Sequence, residues 1–218
     1  VDPIPKSFGQ FGELIFPYFR FGDSVDTTNL FDLDELIIFS FYWLNRKRYK
    51  RVVDAGANLG LHSILLGKCG YEVRAYEPDP LHFDLLKKNL VLNQSDNVRA
   101  TNAGVSSQDG QLDFVKVLGN TTSSHLAGSK SSAYGELDTI SVAVEGIHSI
   151  LMWADLVKMD VEGHEREVIL STDRSHWSGT DALIEIENAD NAAAVFEHFT
   201  SLDVRLFSQK TGWKEVEH

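Results

Sequence analysis

Residues 52–60, Val-Val-Asp-Ala-Gly-Ala-Asn-Leu-Gly, carry the residue types and spacing best suited to chemistry in this chain. An apolar strand runs into the carboxylate of Asp54. Gly56 and Gly60 then turn the backbone tightly, with room for a ligand to approach, before a helix starts. This is the pattern of a nucleotide-type cofactor cradle, and the spacing narrows the cofactor. A dinucleotide fingerprint needs Gly-x-Gly-x-x-Gly, but Asn58 and Leu61 stand where the second and third glycines belong. A phosphate loop needs Gly-Lys-Ser/Thr, and no such tripeptide occurs. An Asp-x-Gly-x-x-x-Gly turn remains.

A second acidic group falls where an adenosine would need it. Val73–Glu77 reads as a short strand whose end lies about twenty residues beyond the first glycine, and an acid there accepts hydrogen bonds from both ribose hydroxyls. Pro78 follows Glu77, Asp79 reads as a helix N-cap, and Pro80 takes the first helical position. Asn102 and Ala103, after a third strand, are placed to meet an adenine edge. Further along, Leu156–Asp160 is an apolar strand that ends in Lys158-Met-Asp-Val-Glu-Gly-His-Glu165, and Ala182–Glu187 is its neighbour, followed by Asn188. Asp160 belongs at the rim of the cleft, because a carboxylate after an apolar strand needs partners. Asp160, Glu187 and Asn188 together offer hard oxygen ligands suited to Mg²⁺ or another divalent cation. His164 titrates in the range of a general base for a substrate hydroxyl, and Glu162 is the alternative proton acceptor. Glu165 is expected to cap the helix that follows. His125, in a polar Gly/Ser/Thr-rich loop over 119–135, is placed to reach a substrate.

The elements that must position these groups alternate strand and helix. Strands are expected at 51–55, 73–77, 98–103, 111–117, 140–144, 156–160 and 182–187, with closing strands at 204–208 and 212–216. Helices are expected at 59–68, 80–92, 163–171 and 190–201. Repeated βα units of this length imply a mostly parallel α/β sheet covered on both faces. Residues 1–50 form an arm rich in Phe, followed by an amphipathic helix over 32–46 with an acidic first turn; residues 51–218 form the main domain. The chain has 218 residues, enough for one well-packed domain, and 32 acidic against 20 basic residues. A net charge of −12 repels phosphate backbones and argues against a nucleic-acid substrate. The single cysteine, Cys69, excludes an internal disulfide, and no apolar run reaches the length of a membrane span. A reducing, cytoplasmic setting is expected.

The segments 52–60, Tyr-Glu-Pro-Asp-Pro at 76–80 and Val-Lys-Met-Asp-Val-Glu-Gly-His-Glu at 157–165 resemble the FkbM-type methyltransferases, over roughly residues 50–190. The resemblance implies a class I methyltransferase (Rossmann-like) fold with a seven-stranded sheet. It implies S-adenosylmethionine as cofactor, held by Asp54, Gly56, Asn58, Gly60, Glu77, Pro78, Asn102, Ala103 and Asp160, and methylation of a hydroxyl on a small molecule, sugar or glycan. Catechol and macrolide-sugar O-methyltransferases of the same fold hold Mg²⁺ with acids that Asp160 and the Glu187-Asn188 pair resemble. Amine methyltransferases often carry an Asn/Asp-Pro-Pro-aromatic motif where this chain has Asp160-Val-Glu-Gly, which favours oxygen over nitrogen. The competing readings are a binding or scaffold module that kept a cofactor pocket, and a methyltransferase acting on nitrogen or protein.

Overall fold

The aromatics of the first segment are too apolar to stay in water, and the chain folds them onto its own first helices. The computed structural model describes residues 4–22, 25–118, 120–129, 136–186 and 188–216. The arm begins with a short antiparallel hairpin, β1 (Lys6–Ser7) and β2 (Glu13–Leu14). Phe8 and Phe11 pack edge-on or tilted against each other and against Phe39 and Trp43 of α1 (Leu33–Leu44). Asp32 caps α1 by accepting from the Glu35 amide.

The centre of the fold is a parallel sheet of five strands: β3 (Arg51–Ala55), β4 (Glu72–Tyr76), β5 (Val98–Thr101), β10 (Leu156–Met159) and β11 (Asp181–Ile184), in the order β11-β10-β3-β4-β5. Successive side chains of a strand point to opposite faces. Val52 and Leu156 accordingly belong to one core cluster and Val53 and Val157 to the other, all fully buried. The first cluster takes the arm, α1, α2 (Leu61–Lys68) and α3 (Pro80–Leu92). The second takes α4 (Ile147–Trp153), α5 (Glu165–Leu170) and α6 (Ala189–Ser201). The result is helix, sheet and helix in three layers.

The expected seven-stranded sheet is corrected to five strands plus a separate four-stranded sheet. That second sheet contains β6 (Gly104–Ser106), β7 (Gly110–Val117), β8 (His125–Leu126) and β9 (Leu137–Gly146), in the order β6-β9-β7-β8. After β5 the chain leaves the sheet edge at Asn102, and β7 finds its hydrogen bonds in a long antiparallel register with β9 from Gly110↔Val144 to Val117↔Leu137. The residues expected to close the main sheet form instead a small hairpin, β12 (Phe207–Ser208) with β13 (Lys214–Glu215). The helix α4 was not expected from the sequence; it buries Ile147, Ile150 and Leu151, the spacing of one helical face. No helix among the described residues is long and apolar enough to cross a membrane.

Candidate active site

The chain leaves β3 toward β4 on one side and returns to β10, on the other side, only after the second sheet. Loops at the carboxyl ends of such a pair diverge and leave a crevice, the usual ligand position in an open α/β sheet. About 570 Å³ of non-atom space lies within and just outside this crevice, part of it open solvent. Gly56, Asn58, Glu77 and Pro78 line one wall, Asp160, Val161 and Glu162 the other, and Gly104, Phe114 and His125 of the second sheet lie across it.

The turn after β3 is held by two amides, Gly56 N and Ala57 N, which both donate to the Tyr76 carbonyl at 3.0 and 2.9 Å. Gly56 has φ +79°, and a Cβ there would lie 1.7 Å from the Asp160 carbonyl oxygen. Gly60, at φ +88°, would place its Cβ 3.1 Å from Leu86 Cγ. The space that these glycines free is therefore taken first by the protein: the end of β10 at Gly56, and α3 at Gly60. A larger residue at Gly56 would push the two crevice walls apart.

Glu77 is buried and staples the turn after β3 to the turn after β4. Its Oε2 accepts from Asn58 N at 2.7 Å and its Oε1 from Asp79 N at 2.8 Å. Burial pushes its carboxyl up to about 8, against the pull of those two amides. In its ionised form the carboxylate has about four acceptor positions, of which these bonds use two. Asn102 donates its amide to the Glu77 and Pro78 carbonyls, at 2.8 and 3.1 Å, and so ties the end of β5 to the same turn. Ala103 is buried beside it.

Below the turn lies a charge cluster that the sequence did not reveal. Lys158 faces Asp54 across the β10–β3 register, and its side chain is 9% exposed. Its Nζ stands 3.3 Å from Asp160 Oδ2 and 3.6 Å from Asp54 Oδ1, and donates to the Gly56 carbonyl at 3.2 Å. Burial alone would lower the Lys158 pKa, but the charges of Asp160, Asp54 and Glu35 outweigh it and hold the pKa above the usual lysine value. The ammonium therefore stays charged. Asp54 is fully buried; its Oδ2 accepts a hydrogen bond from Ser63 Oγ, while Oδ1, without a hydrogen bond, has the Lys158 ammonium as its ion-pair partner.

Glu35 reaches this cluster from the first turn of α1. Its Oε2 is 3.1 Å from His62 Nε2, and His62 Nδ1 is 2.9 Å from the Tyr42 hydroxyl. Burial, reinforced by Asp54 and Glu35, raises the Tyr42 pKa far above its ordinary value, so the phenol keeps its proton. Burial acts to raise the Glu35 pKa, but the hydrogen bond to His62 and the charges of His62 and Lys158 overcome it and leave the pKa lowered. At the end of β11, the neighbouring charge of Asp160, then burial, push Glu185 up to about 7. The pattern Val-Lys-Met in an otherwise buried apolar strand was the one sequence signal for an interior cation.

The remaining expected residues divide clearly. Asp160 and Glu162 line the crevice. His164 does not; it is 7% exposed, with Ser106 Oγ 3.0 Å from Nε2 and Ser129 Oγ 2.9 Å from Nδ1. Burial lowers its pKa. Glu165 closes its own turn by accepting from Val161 N and Gly163 N, at 2.8 and 3.3 Å. His125 lines the crevice, and its Nδ1 donates to the Ser123 carbonyl at 2.9 Å. Burial pushes the Cys69 thiol up to about 12, which makes it a poor nucleophile.

The expected metal set does not fit. Asn188 Oδ1 is occupied as the cap of α6, accepting from Asn191 N at 2.8 Å. The cation seated on Asp160 is the Lys158 ammonium. Glu187 lies outside the described residues. Among the described residues no group of three or more His, Cys, Asp or Glu side chains is poised to hold a metal ion.

Residues 54–210 match the family model described as the methyltransferase FkbM domain. Methyltransferase sdnD of Sordaria araneosa is 31% identical over a 160-residue alignment that covers 58% of this chain and 61% of that protein. Hexuronic acid methyltransferase AglP of Haloferax volcanii is 28% identical over a 149-residue alignment that covers 61% of this chain and 54% of that protein. The matched stretches thus span less than two thirds of the length of these two relatives. Among solved structures, precorrin-6y C5,15-methyltransferase from Geobacter metallireducens GS-15 aligns over 79% of this chain and 72% of its own, at 14% identity and a TM-score of 0.47.

Proposed function

The chain belongs to the FkbM methyltransferase family, and from that premise we propose that it is an S-adenosylmethionine-dependent O-methyltransferase acting on a hydroxyl of a small molecule or sugar. The observation that carries this reading is the crevice at the β3–β10 switch, with an acid at the end of β4 on one wall and Asp160 on the other. Glu77 is the group to accept from the ribose hydroxyls, with Asn58, Pro78, Asn102 and Ala103 around the nucleoside. The Gly56 turn and Asp160 flank the methionine end, with Asp54 beneath. Asn58 Oδ1 is buried and lacks a hydrogen-bond partner within the protein, an acceptor that a nucleoside or amino group would satisfy. When bound, the cofactor supplies a methyl group already activated on a sulfonium.

The protein's own task is then to orient an alcohol, exclude water and accept a proton. Asp160, whose side chain is 32% exposed, accepts a hydrogen bond from the alcohol and aims it. Glu162, on the same wall, takes the proton. His164 is enclosed by two serines and is not proposed as the base, and no metal is invoked. AglP is named for hexuronic acid, which supports a sugar-like acceptor among the candidates. A net charge of −12 supports an acceptor other than a nucleic acid. One free cysteine and no pairing partner support a reducing, cytoplasmic setting. The test is transfer of labelled methyl groups to a panel of hydroxylated metabolites and glycosides. Label in an ether product supports the reading; label only in amines or protein, or binding of NADH or ATP in place of S-adenosylmethionine, overturns it.

A further inference from the structure

We infer that the ammonium of Lys158 is the resident cation of this active site, a positioning residue that joins the two crevice walls and makes a divalent metal unnecessary there. The inference rests on the proposed cofactor site and adds the device that holds it together. An ammonium has three N–H donors and no acceptor. Lys158 Nζ donates to two oxygens, Asp160 Oδ2 at 3.3 Å and the Gly56 carbonyl at 3.2 Å, and stands in ion-pair contact with a third, Asp54 Oδ1, at 3.6 Å. Two of these belong to the β3 wall and one to the β10 wall. The cation therefore sets the separation of the walls at the end of the crevice where Asp160 stands.

The charge around it explains why a cation is required. The carboxylates of Asp54, Asp160 and Glu35 all act on Lys158, and Glu185 is close enough that Asp160 perturbs it. Without a positive charge, Asp54, at 0% exposure, would hold an uncompensated negative charge in the interior. A divalent ion at Asp160 would have to displace or approach the ammonium already there. It would also need Asn188, whose carbonyl is used by α6. The register partner Lys158↔Asp54 shows that the pair is built into the sheet rather than reached from a mobile loop.

Two measurements on the full chain test the inference. Mn²⁺ is titrated by electron paramagnetic resonance into the wild type and Asp160→Asn, up to about 1 mM, the weak end of protein divalent sites. S-adenosylhomocysteine is titrated by calorimetry into wild type, Lys158→Met and Lys158→Arg, with and without EDTA. The wild type is expected to show no Mn²⁺ site that Asp160→Asn removes, and an affinity for S-adenosylhomocysteine that EDTA leaves unchanged. Lys158→Met is expected to weaken that affinity by roughly tenfold or more, about 1.4 kcal/mol, while Lys158→Arg recovers most of it. A one-per-chain Mn²⁺ site that Asp160→Asn abolishes would overturn the inference. So would an affinity indifferent to Lys158→Met. If Lys158→Met fails to fold, the Mn²⁺ titration and the EDTA comparison on wild type still decide. Wild type that ignores S-adenosylhomocysteine altogether would instead refute the proposed cofactor, and the Mn²⁺ arm would judge Lys158 alone.

Discussion

Adding one methyl group at Gly56 should damage this protein far more than adding the same group at Gly60. Both residues have positive φ, +79° and +88°, so an L-residue at either pays a similar conformational penalty of about 1–2 kcal/mol. The surroundings differ. At Gly56 the new Cβ would stand 1.7 Å from the Asp160 carbonyl oxygen, half the 3.4 Å at which ordinary contact begins. That oxygen is backbone at the end of β10, anchored by Asp160 N donating to the Ala55 carbonyl at 3.0 Å. Relief requires prising β10 from β3 and breaking the Lys158 contacts, so an overpacking cost of about 1–3 kcal/mol adds to the backbone term. At Gly60 the nearest atom is Leu86 Cγ at 3.1 Å, a side chain that gives by a few tenths of an ångström. Gly56→Ala should therefore lose about 2–5 kcal/mol and Gly60→Ala about 1–2 kcal/mol, against a total typical of such domains of about 5–15 kcal/mol. Urea unfolding followed by circular dichroism measures both. Equal losses within about 0.5 kcal/mol would refute the claim that the first glycine is demanded by the facing strand end.

Other perturbations separate the remaining roles. Glu77 has a folded pKa of about 8 against about 4.3 when unfolded, so the folded state holds a proton that the unfolded chain lacks between those values. Its contribution is full below about pH 4.3 and lost as pH rises through about 8; urea unfolding across that range should show a downward slope in wild type that Glu77→Gln reduces. Asn188→Ala should lower stability by about 1 kcal/mol through loss of the α6 cap, with no change in the response of cofactor binding to chelator. His164→Asn should lower stability by about 1–3 kcal/mol by breaking its bonds to Ser106 and Ser129. It should leave the rising limb of the pH–rate profile in place, whereas Glu162→Gln should lower kcat by about 10²–10⁴-fold.

What could be read from the residues was local. Asp79 and Pro80 mark the start of α3, and the helix runs Pro80–Leu92 as their chemistry requires. The Arg51–Ala55 strand and its turn were equally plain, because an apolar run ending in Asp and Gly has few other uses. Pairing was not local. The alternation in β7 and β9 showed that each is a strand, but not that they pair with each other off the main sheet. The site divided along the same line. Asp54, Glu77 and Asp160 stand at or next to strand ends, and their position alone singled them out as candidates. Lys158 was passed over because a lysine is read as solvent-exposed unless an interior partner is known, and its partner Asp54 lies about a hundred residues away in sequence, joined only by the parallel register. Glu35, Tyr42 and His62 were hidden for the same reason, since they meet only when α1 packs on α2. His164 and Asn188 misled in the opposite way: both have the chemistry of a site, and both spend it on the protein's own serines and helix cap.

The most direct test is a crystal structure with S-adenosylhomocysteine bound. The nucleoside is expected in the β3–β10 crevice, its ribose hydroxyls within hydrogen-bonding reach of the Glu77 carboxyl group and its sulfur between the Gly56 turn and Asp160. A nucleoside seated elsewhere, or a ribose that leaves Glu77 bonded only to Asn58 and Asp79, would contradict this placement.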